Sequence, residues 1–292
     1  MQTNPANQPK AVALVPERGK FNRDLQMTTP EPIIPWLGGK RRIADKLYPL
    51  FPQHECYVEL FCGGATLYFL KPVPSKVEVL NDINGELVNL YRVAQHHLDE
   101  FVRQFLWLLN SRTTFKWLQI TPPETMTDIQ RAARFYYLQQ HAFSGKVAGQ
   151  TFGTATTAPA FNLCRIKESL TAARERLAGT VIENLSWQTC LARYDRAHTF
   201  FYADPPYWQV EGYGVPFEFD QYETMSEQMR TIKGKMMVSI NDHPDIRRAF
   251  AGHHFHDLKI KYSAGNNHCG TPKESTELVI TNWDIKEAGG LF

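Results

Sequence analysis

The stretch Cys56–Asp82, "CYVELFCGGATLYFLKPVPSKVEVLND", constrains the fold more than any other part of the chain. "CYVELF" reads as a short strand that runs into Gly63-Gly64, where a glycine pair lets the backbone turn tightly and approach a ligand. "ATLYFL" starts a helix, and "KVEVLND" is a second strand ending in an acid. A long helix follows over roughly 85–110, with Leu87, Leu90, Val93, Ala94, Leu98, Phe101, Phe105 and Leu108 on one stripe. Strand, glycine turn, helix, strand, acid and helix in this order predict a parallel, doubly wound α/β sheet.

The alternation stops near residue 110. Residues 111–165 hold one good helix, "DIQRAARFYYLQQHAF", and then a nearly charge-free stretch that reads as a surface loop. The region is expected to be an insertion. Alternation resumes with a helix over 165–178 and strands at "TVIENLSW", "HTFFYAD", "KMMVSIN", "HDLKIKYS" and "TELVITN". The last two have no helix between them and predict an antiparallel hairpin closing the sheet. Upstream, "KRRIADKLYPLF" has helical spacing and ends at Pro52, while residues 1–32 read as a poorly ordered tail. The α/β domain therefore spans 33–110 and 166–292, split by the 111–165 insertion.

Composition narrows the classes. A chain of 292 residues, 43% hydrophobic, is long enough for one large α/β domain plus an insertion. It has no N-terminal apolar segment of signal type and no run of about 18 apolar residues, so neither secretion nor a membrane partner is expected. Cys56, Cys62, Cys164, Cys190 and Cys269 are scattered, which argues against a disulfide framework and for a reducing compartment. The net charge is +2, but residues 100–190 carry ten Lys/Arg against six Asp/Glu. That excess suits nucleic acid and suits a solvated helical surface equally well. His253, His254 and His256 lack an accompanying acid–His–Cys set, so a surface turn is favoured and no metal is expected.

Three motifs carry the chemistry. Asp82 follows Gly63 by 19 residues, an offset at which an acid can accept hydrogen bonds from both ribose hydroxyls of a nucleoside. No Gly-Lys-Ser/Thr phosphate pattern is present, so a nucleoside without phosphates fits better than a nucleotide. In "PWLGGK", Lys40 opens a helix at the end that favours anions, a placement that neutralising a carboxylate would explain. "FFYADPPYW" ends a strand with Asp204, Pro205, Pro206 and Tyr207. The prolines free local carbonyls from sheet pairing, so Asp204 and the Pro205 carbonyl can accept both hydrogens of one exocyclic amine. Tyr207 offers a face on which a planar ring can stack.

"PWLGGK", "VELFCGGATLYF", "LNDINGELVNLYRVAQ" and "YADPPYW", in this order, resemble the Dam-like family of DNA adenine methyltransferases, the alpha group with its DPPY motif, and a phage or prophage member is compatible with the resemblance. Weaker likeness continues through "VSIND" and "TPKESTELVITN". The resemblance implies a class I S-adenosylmethionine-dependent methyltransferase fold, Rossmann-like, with a mostly parallel seven-stranded sheet and an antiparallel closing strand. It also implies that 111–165 is a mainly helical target-recognition insertion. Trp36, Gly38, Gly39 and Lys40 would contact S-adenosyl-L-methionine, with Lys40 near its carboxylate. Glu59, Phe61, Cys62, Gly63 and Gly64 would line its methionine and ribose side. Asp82 would hold the ribose hydroxyls and Ile83 would pack on the adenine. Ser186 stands where the family usually has an acid-type residue. Asp204 would adjoin both cofactor and target, and Asp204 to Tyr207 would grip the base.

The implied reaction is methyl transfer to the N6 amine of an adenine flipped out of double-stranded DNA, leaving S-adenosyl-L-homocysteine. Hydrogen bonds from N6 to Asp204 and the Pro205 carbonyl would localise a lone pair otherwise delocalised into the ring, and Asp204 would stabilise the growing positive charge. Family members that read GATC usually carry an Asn-Gly and Arg-rich loop in the insertion. Here Ser144-Gly145 stands in that place, so another site or relaxed recognition is expected. Arg131, Arg134, Lys146 and Arg165 are candidate phosphate or base contacts. Restriction–modification, phage self-protection and regulation all use this chemistry, in a bacterial cytoplasm or nucleoid or an infected host, and a monomer is compatible with it. Methylation of an RNA base is an alternative reading. A catalytically idle DNA-binding module is another, against which the intact Asp82 and Asp204 argue.

Overall fold

Seven short apolar runs pair into one sheet in a computed structural model that describes residues 30–154, 166–210, 212–214, 216–261 and 274–285. The strands are β1 (Cys56–Glu59), β2 (Val77–Asn81), β3 (Val181–Glu183), β4 (Thr199–Ala203), β5 (Lys235–Asn241), β6 (His254–Lys261) and β7 (Glu274–Thr281), in the order β3-β2-β1-β4-β5-β7-β6. The first five in that order run parallel, and β7 is antiparallel to both β5 and β6. The expected hairpin is present, but β7 lies inside the sheet and β6 takes the edge. Burial explains the swap. Leu278, Val279 and Ile280 of β7 are fully buried, whereas β6 exposes His254, Asp257 and Lys259, as an edge strand tolerates. His254 and His256 thus belong to a strand rather than to a turn.

Side-chain alternation divides the core into two layers. Tyr57, Phe200, Tyr202, Met237 and Val279 face one side. There they meet residues of α1 (Ala44–Leu47), α2 (Thr66–Leu70), α3 (Gly85–His96), α4 (Leu98–Arg103), α6 (Asp128–His141) and α7 (Ile166–Leu177). Val58, Phe201, Ala203, Val238 and Ile280 face the other, against α8 (Trp187–Tyr194), α9 (Phe219–Thr231) and α10 (Pro244–Ala249). All five residues of β4 are buried, as a parallel strand covered on both faces requires.

Two expected helices are shorter in fact. The 40–51 segment breaks into a 3-10 turn, the four-residue α1 and a second 3-10 turn at Tyr48–Leu50 that contains Pro49, which has no N–H to donate. The 85–110 segment breaks at His97, which leaves helical geometry at φ −128°, ψ 38°. There α4 starts afresh with Asp99 and Glu100 in its first turn, a start signal hidden inside the longer apolar stripe.

The insertion holds a helix that the apolar pattern did not reveal, α5 (Arg112–Ile120), capped by the Ser111 side chain. Its neighbour α6 begins at a capping box formed by Thr127 and Gln130. Phe135, Tyr136, Tyr137 and Leu138 of α6 join the same core layer as the strands, so this part of the insertion is built into the α/β body. It also carries the segment before α1. Gln139 donates to the carbonyls of Pro35 (2.9 Å) and Gly145 (2.7 Å), and Gln140 donates to that of Ile33 (2.9 Å). Gln139→Ala, which strips a donor from a buried carbonyl, is expected to cost about 1–3 kcal/mol. A lowered urea midpoint with an unchanged m-value is the expected readout, and an unchanged midpoint would contradict this role.

Candidate active site at the switch point of the sheet

Strand order reverses between β1 and β4, so the loops after them diverge and leave a crevice at their carboxyl ends. The loops after β1, β2 and β4 line it, together with the segment around Trp36. Gly63 sits at φ +48°, and a Cβ there would come within 2.5 Å of Trp36 Nε1. A Cβ on Gly64 would come within 2.9 Å of the Trp36 Cβ. The glycine pair therefore makes room first for the Trp36 side chain, which locks the "PWLGGK" loop against the β1 loop.

Asp82 joins that loop to β2. It is 9% exposed, and its two oxygens accept from the N–H groups of Gly63 (3.0 Å) and Asn84 (2.9 Å). Burial raises its pKa, and these N–H bonds oppose the rise. The carboxylate keeps acceptor capacity beyond these bonds for a hydroxyl donor. Ile83, next to it, lines the crevice and is 52% exposed. Phe61 stands at the wall, its ring edge-on to Phe217 at 5.6 Å. Glu59 is buried at the end of β1 and accepts from the Tyr57 hydroxyl at 2.9 Å. Burial pushes its carboxyl up to about 8, although the Tyr57 bond pulls the other way.

At the end of β4, Asp204 keeps 23% of its side chain exposed and lines the same crevice. Its partner is Lys40, a buried ammonium 2.5 Å away that also donates to the Gly38 carbonyl and the Tyr207 hydroxyl, each at 3.1 Å. Burial works against the Lys40 charge, but Asp204 and Glu277 raise its pKa overall. Burial lifts the Asp204 carboxyl to about 6, with Lys40 opposing and Glu277 adding to the rise. The turn that follows is fixed by Tyr222, whose hydroxyl donates to the Pro206 carbonyl at 2.6 Å and not to that of Pro205. Trp208 is held by Asn241 and by Asp245, to which its indole donates. Tyr207 is half-buried rather than exposed, with the Lys40 ammonium 4.9 Å from its ring centre.

Most of the residues expected at the cofactor meet in this crevice: Trp36, Gly39, Lys40, Glu59, Phe61, Cys62, Gly63, Gly64, Asp82, Ile83 and Asp204 all line it. Gly38, at φ +77°, forms the tight turn beside it. Ser186 is elsewhere. It is exposed and caps α8, accepting from the Thr189 N–H at 3.2 Å. Arg131 pairs with Glu86 of α3 and with Asp128, and Arg134 donates to the carbonyls of Leu118 and Gln119, so both guanidiniums bind within the protein. Lys146 is exposed beside Gly212, and Arg165 lies outside the described residues. Sequence reading missed Tyr202, Tyr213, Phe217 and Glu277. Tyr213 and Phe217 belong to the Gly- and aromatic-rich "GYGVPF", and an acid inside the apolar run "ELVI" was the available sign of Glu277.

Comparison with known proteins agrees with this arrangement. The sequence model of the D12 class N6 adenine-specific DNA methyltransferases matches residues 36–264. Type II methyltransferase M.CviBI of Paramecium bursaria Chlorella virus NC1A is 26% identical over 262 residues, covering 87% of this chain and 100% of that protein. DNA adenine methylase of Salmonella typhi is 25% identical, over 84% of this chain and 92% of its own length. Type II methyltransferase M1.LlaDCHI of Lactococcus lactis subsp. cremoris is 22% identical over 86% and 95%. The chain belongs to the D12 class of adenine-specific DNA methyltransferases. Its reaction is methylation of the adenine N6 amine in DNA. Among the described residues no helix is long and apolar enough to cross a membrane.

Glu59 gives a pH test of the site without ligand. A carboxyl raised from 4.5 to about 8 in the folded state holds a proton that the unfolded chain has released. Stability therefore falls as pH rises through that window. Between pH 5 and 8 the ligand-free wild type is expected to lose on the order of 3 kcal/mol more than Glu59→Gln. Urea unfolding at both pH values checks this, and parallel behaviour of the two proteins would refute it.

Proposed function

We propose that the crevice holds S-adenosylmethionine and that Asp204, with the Pro205 carbonyl, accepts both N6 hydrogens of an adenine flipped out of the DNA. The observation that carries the reading is the Asp204 carboxylate, open to the crevice beside the Asp82 cradle. The residues present fit this cofactor. Asp82 has acceptor capacity for ribose hydroxyls, Glu59 can become the counter-charge of a cation, and Phe61 and Ile83 supply apolar walls. The described crevice residues include one cation, Lys40, which is committed to two carboxylates, so a phosphate finds no partner there. S-adenosylmethionine would supply a methyl group on a sulfonium.

The chain's own residues do the rest. Asp204, with a pKa of about 6, is mainly ionised at neutral pH and can accept from N6. Two acceptors on one amine draw its nitrogen toward a tetrahedral geometry, and the carboxylate meets the positive charge that grows there. Tyr207, held against Lys40, supplies the stacking face. Asp204→Ala is expected to lower methyl transfer into duplex DNA by roughly 100-fold or more, with cofactor binding by calorimetry largely retained. Transfer at the wild-type rate would remove Asp204 from the mechanism.

Recognition belongs to the insertion. Phe143, Ser144 and Lys146 are exposed on the loop whose Gly145 carbonyl accepts from the Leu37 N–H at 3.2 Å, which sets that loop beside the crevice. Among the described residues, Arg131 and Arg134 pair inward and so do not present their guanidiniums to base edges, which supports a site other than GATC or relaxed recognition. Single-molecule mapping of unmethylated genomic DNA after treatment is expected to show methylated adenines outside GATC. Methylation confined to GATC would contradict it.

A further inference from the structure

Glu277 lies in none of the four motifs around which the site was read, yet it is a neighbour of the reacting end of β4. It is 3% exposed and sits on β7 directly before the buried Leu278, Val279 and Ile280. The Tyr207 hydroxyl is 2.6 Å from each of its oxygens, and Ser239 of β5 donates to it at 2.5 Å. Lys40 Nζ lies 3.6 Å from its Oε1. A buried acid costs several kcal/mol unless it is paired, and a hydrophobic residue of similar size is often no less stable in such a place. Stability alone therefore does not account for an acid here.

The charge count does. Lys40 faces two carboxylates, Asp204 at 2.5 Å and Glu277 at 3.6 Å. With all three ionised, the cluster carries a net single negative charge in a water-poor pocket. Lys40 and Asp204 alone would be neutral as a pair, and the ammonium would oppose the positive charge that grows on N6. A net negative cluster stabilises it instead.

We propose that Glu277 is a positioning residue for methyl transfer, holding the Tyr207 hydroxyl and drawing Lys40 partly away from Asp204 so that this carboxylate can take the N6 amine. The proposal rests on the reading of Asp204 as the N6 acceptor. The groups facing Asp204 are Lys40, Glu277 on β7, Tyr202 on β4, Tyr207 and Tyr213 on the following loop, and Glu59 on β1. After burial and Lys40, Glu277 is the next influence on the Asp204 carboxyl, and it pushes it up. Neutralising Glu277 therefore lets Asp204 ionise at lower pH.

The test is single-turnover methyl transfer from S-adenosylmethionine into unmethylated duplex DNA between pH 5 and 8. It uses the full chain as wild type, Glu277→Gln, Tyr207→Phe, their double variant and Asp204→Asn. In Glu277→Gln the plateau rate is expected to fall roughly tenfold or more, while the acid limb moves to lower pH. A merely structural role would lower the rate and leave the limb in place. The double variant is expected to be no slower than the slower single variant, because both remove one link. A Glu277→Gln enzyme within about twofold of wild type, or with an unmoved limb, overturns the proposal. If that variant does not fold, Tyr207→Phe decides: a severalfold loss supports the link, and a wild-type rate overturns it. Inactive Asp204→Asn beside fully active Glu277→Gln sinks only this inference. A silent wild type or an active Asp204→Asn sinks the reading of Asp204 and this inference with it.

Discussion

The site is organised around one ion pair, the buried Lys40 with the half-buried Asp204. An ammonium that is 4% exposed must be matched by negative charge, and the structure supplies it from two strands far apart in sequence. Asp204 ends β4 and Glu277 belongs to β7, while Lys40 arrives on the loop before α1. That one cation ties three segments to a common point at the carboxyl end of the sheet. It also sets the state of Asp204, which burial alone would drive further toward the protonated form.

The surrounding loops are held by packing and by backbone hydrogen bonds. Trp36 presses on Gly63 and Gly64, and Asp82 holds the Gly63 N–H. Gln139 of the insertion holds Pro35 and Gly145. The Asp82 loop, the Lys40 loop and residues 111–154 thus form one mechanically connected unit. A change near Gln139 reaches Lys40 through only a few bonds, which gives residues 111–154 a physical route to the Asp204 carboxylate.

Much of this was legible in the sequence. Strands bounded by Gly, Asp or Pro were found within a few residues of their true ends, because parallel strands buried on both faces are short, continuous apolar runs. Asp82 and Asp204 stood out because each directly follows a strand, and Gly63 because it belongs to the glycine pair that turns the chain after β1. Helix α5 was missed because a single buried residue, Phe115, anchors it and its cap is one serine. The break at His97 was missed because the apolar stripe continues across it. Ser186 was placed in the crevice by motif position alone, but its hydroxyl is used to cap α8. Glu277 showed in the sequence only as an acid beside an apolar run, and its partners appear only once β7 lies next to β5.

Asp204 is a half-buried, ion-paired carboxylate poised to ionise just below neutral pH. Carbon-13 NMR of the aspartate carboxyls, with the resonance assigned through Asp204→Asn, reads this directly. The structure predicts that Asp204 titrates near pH 6. Titration at the ordinary value of a free aspartate, about 3.9, would contradict this.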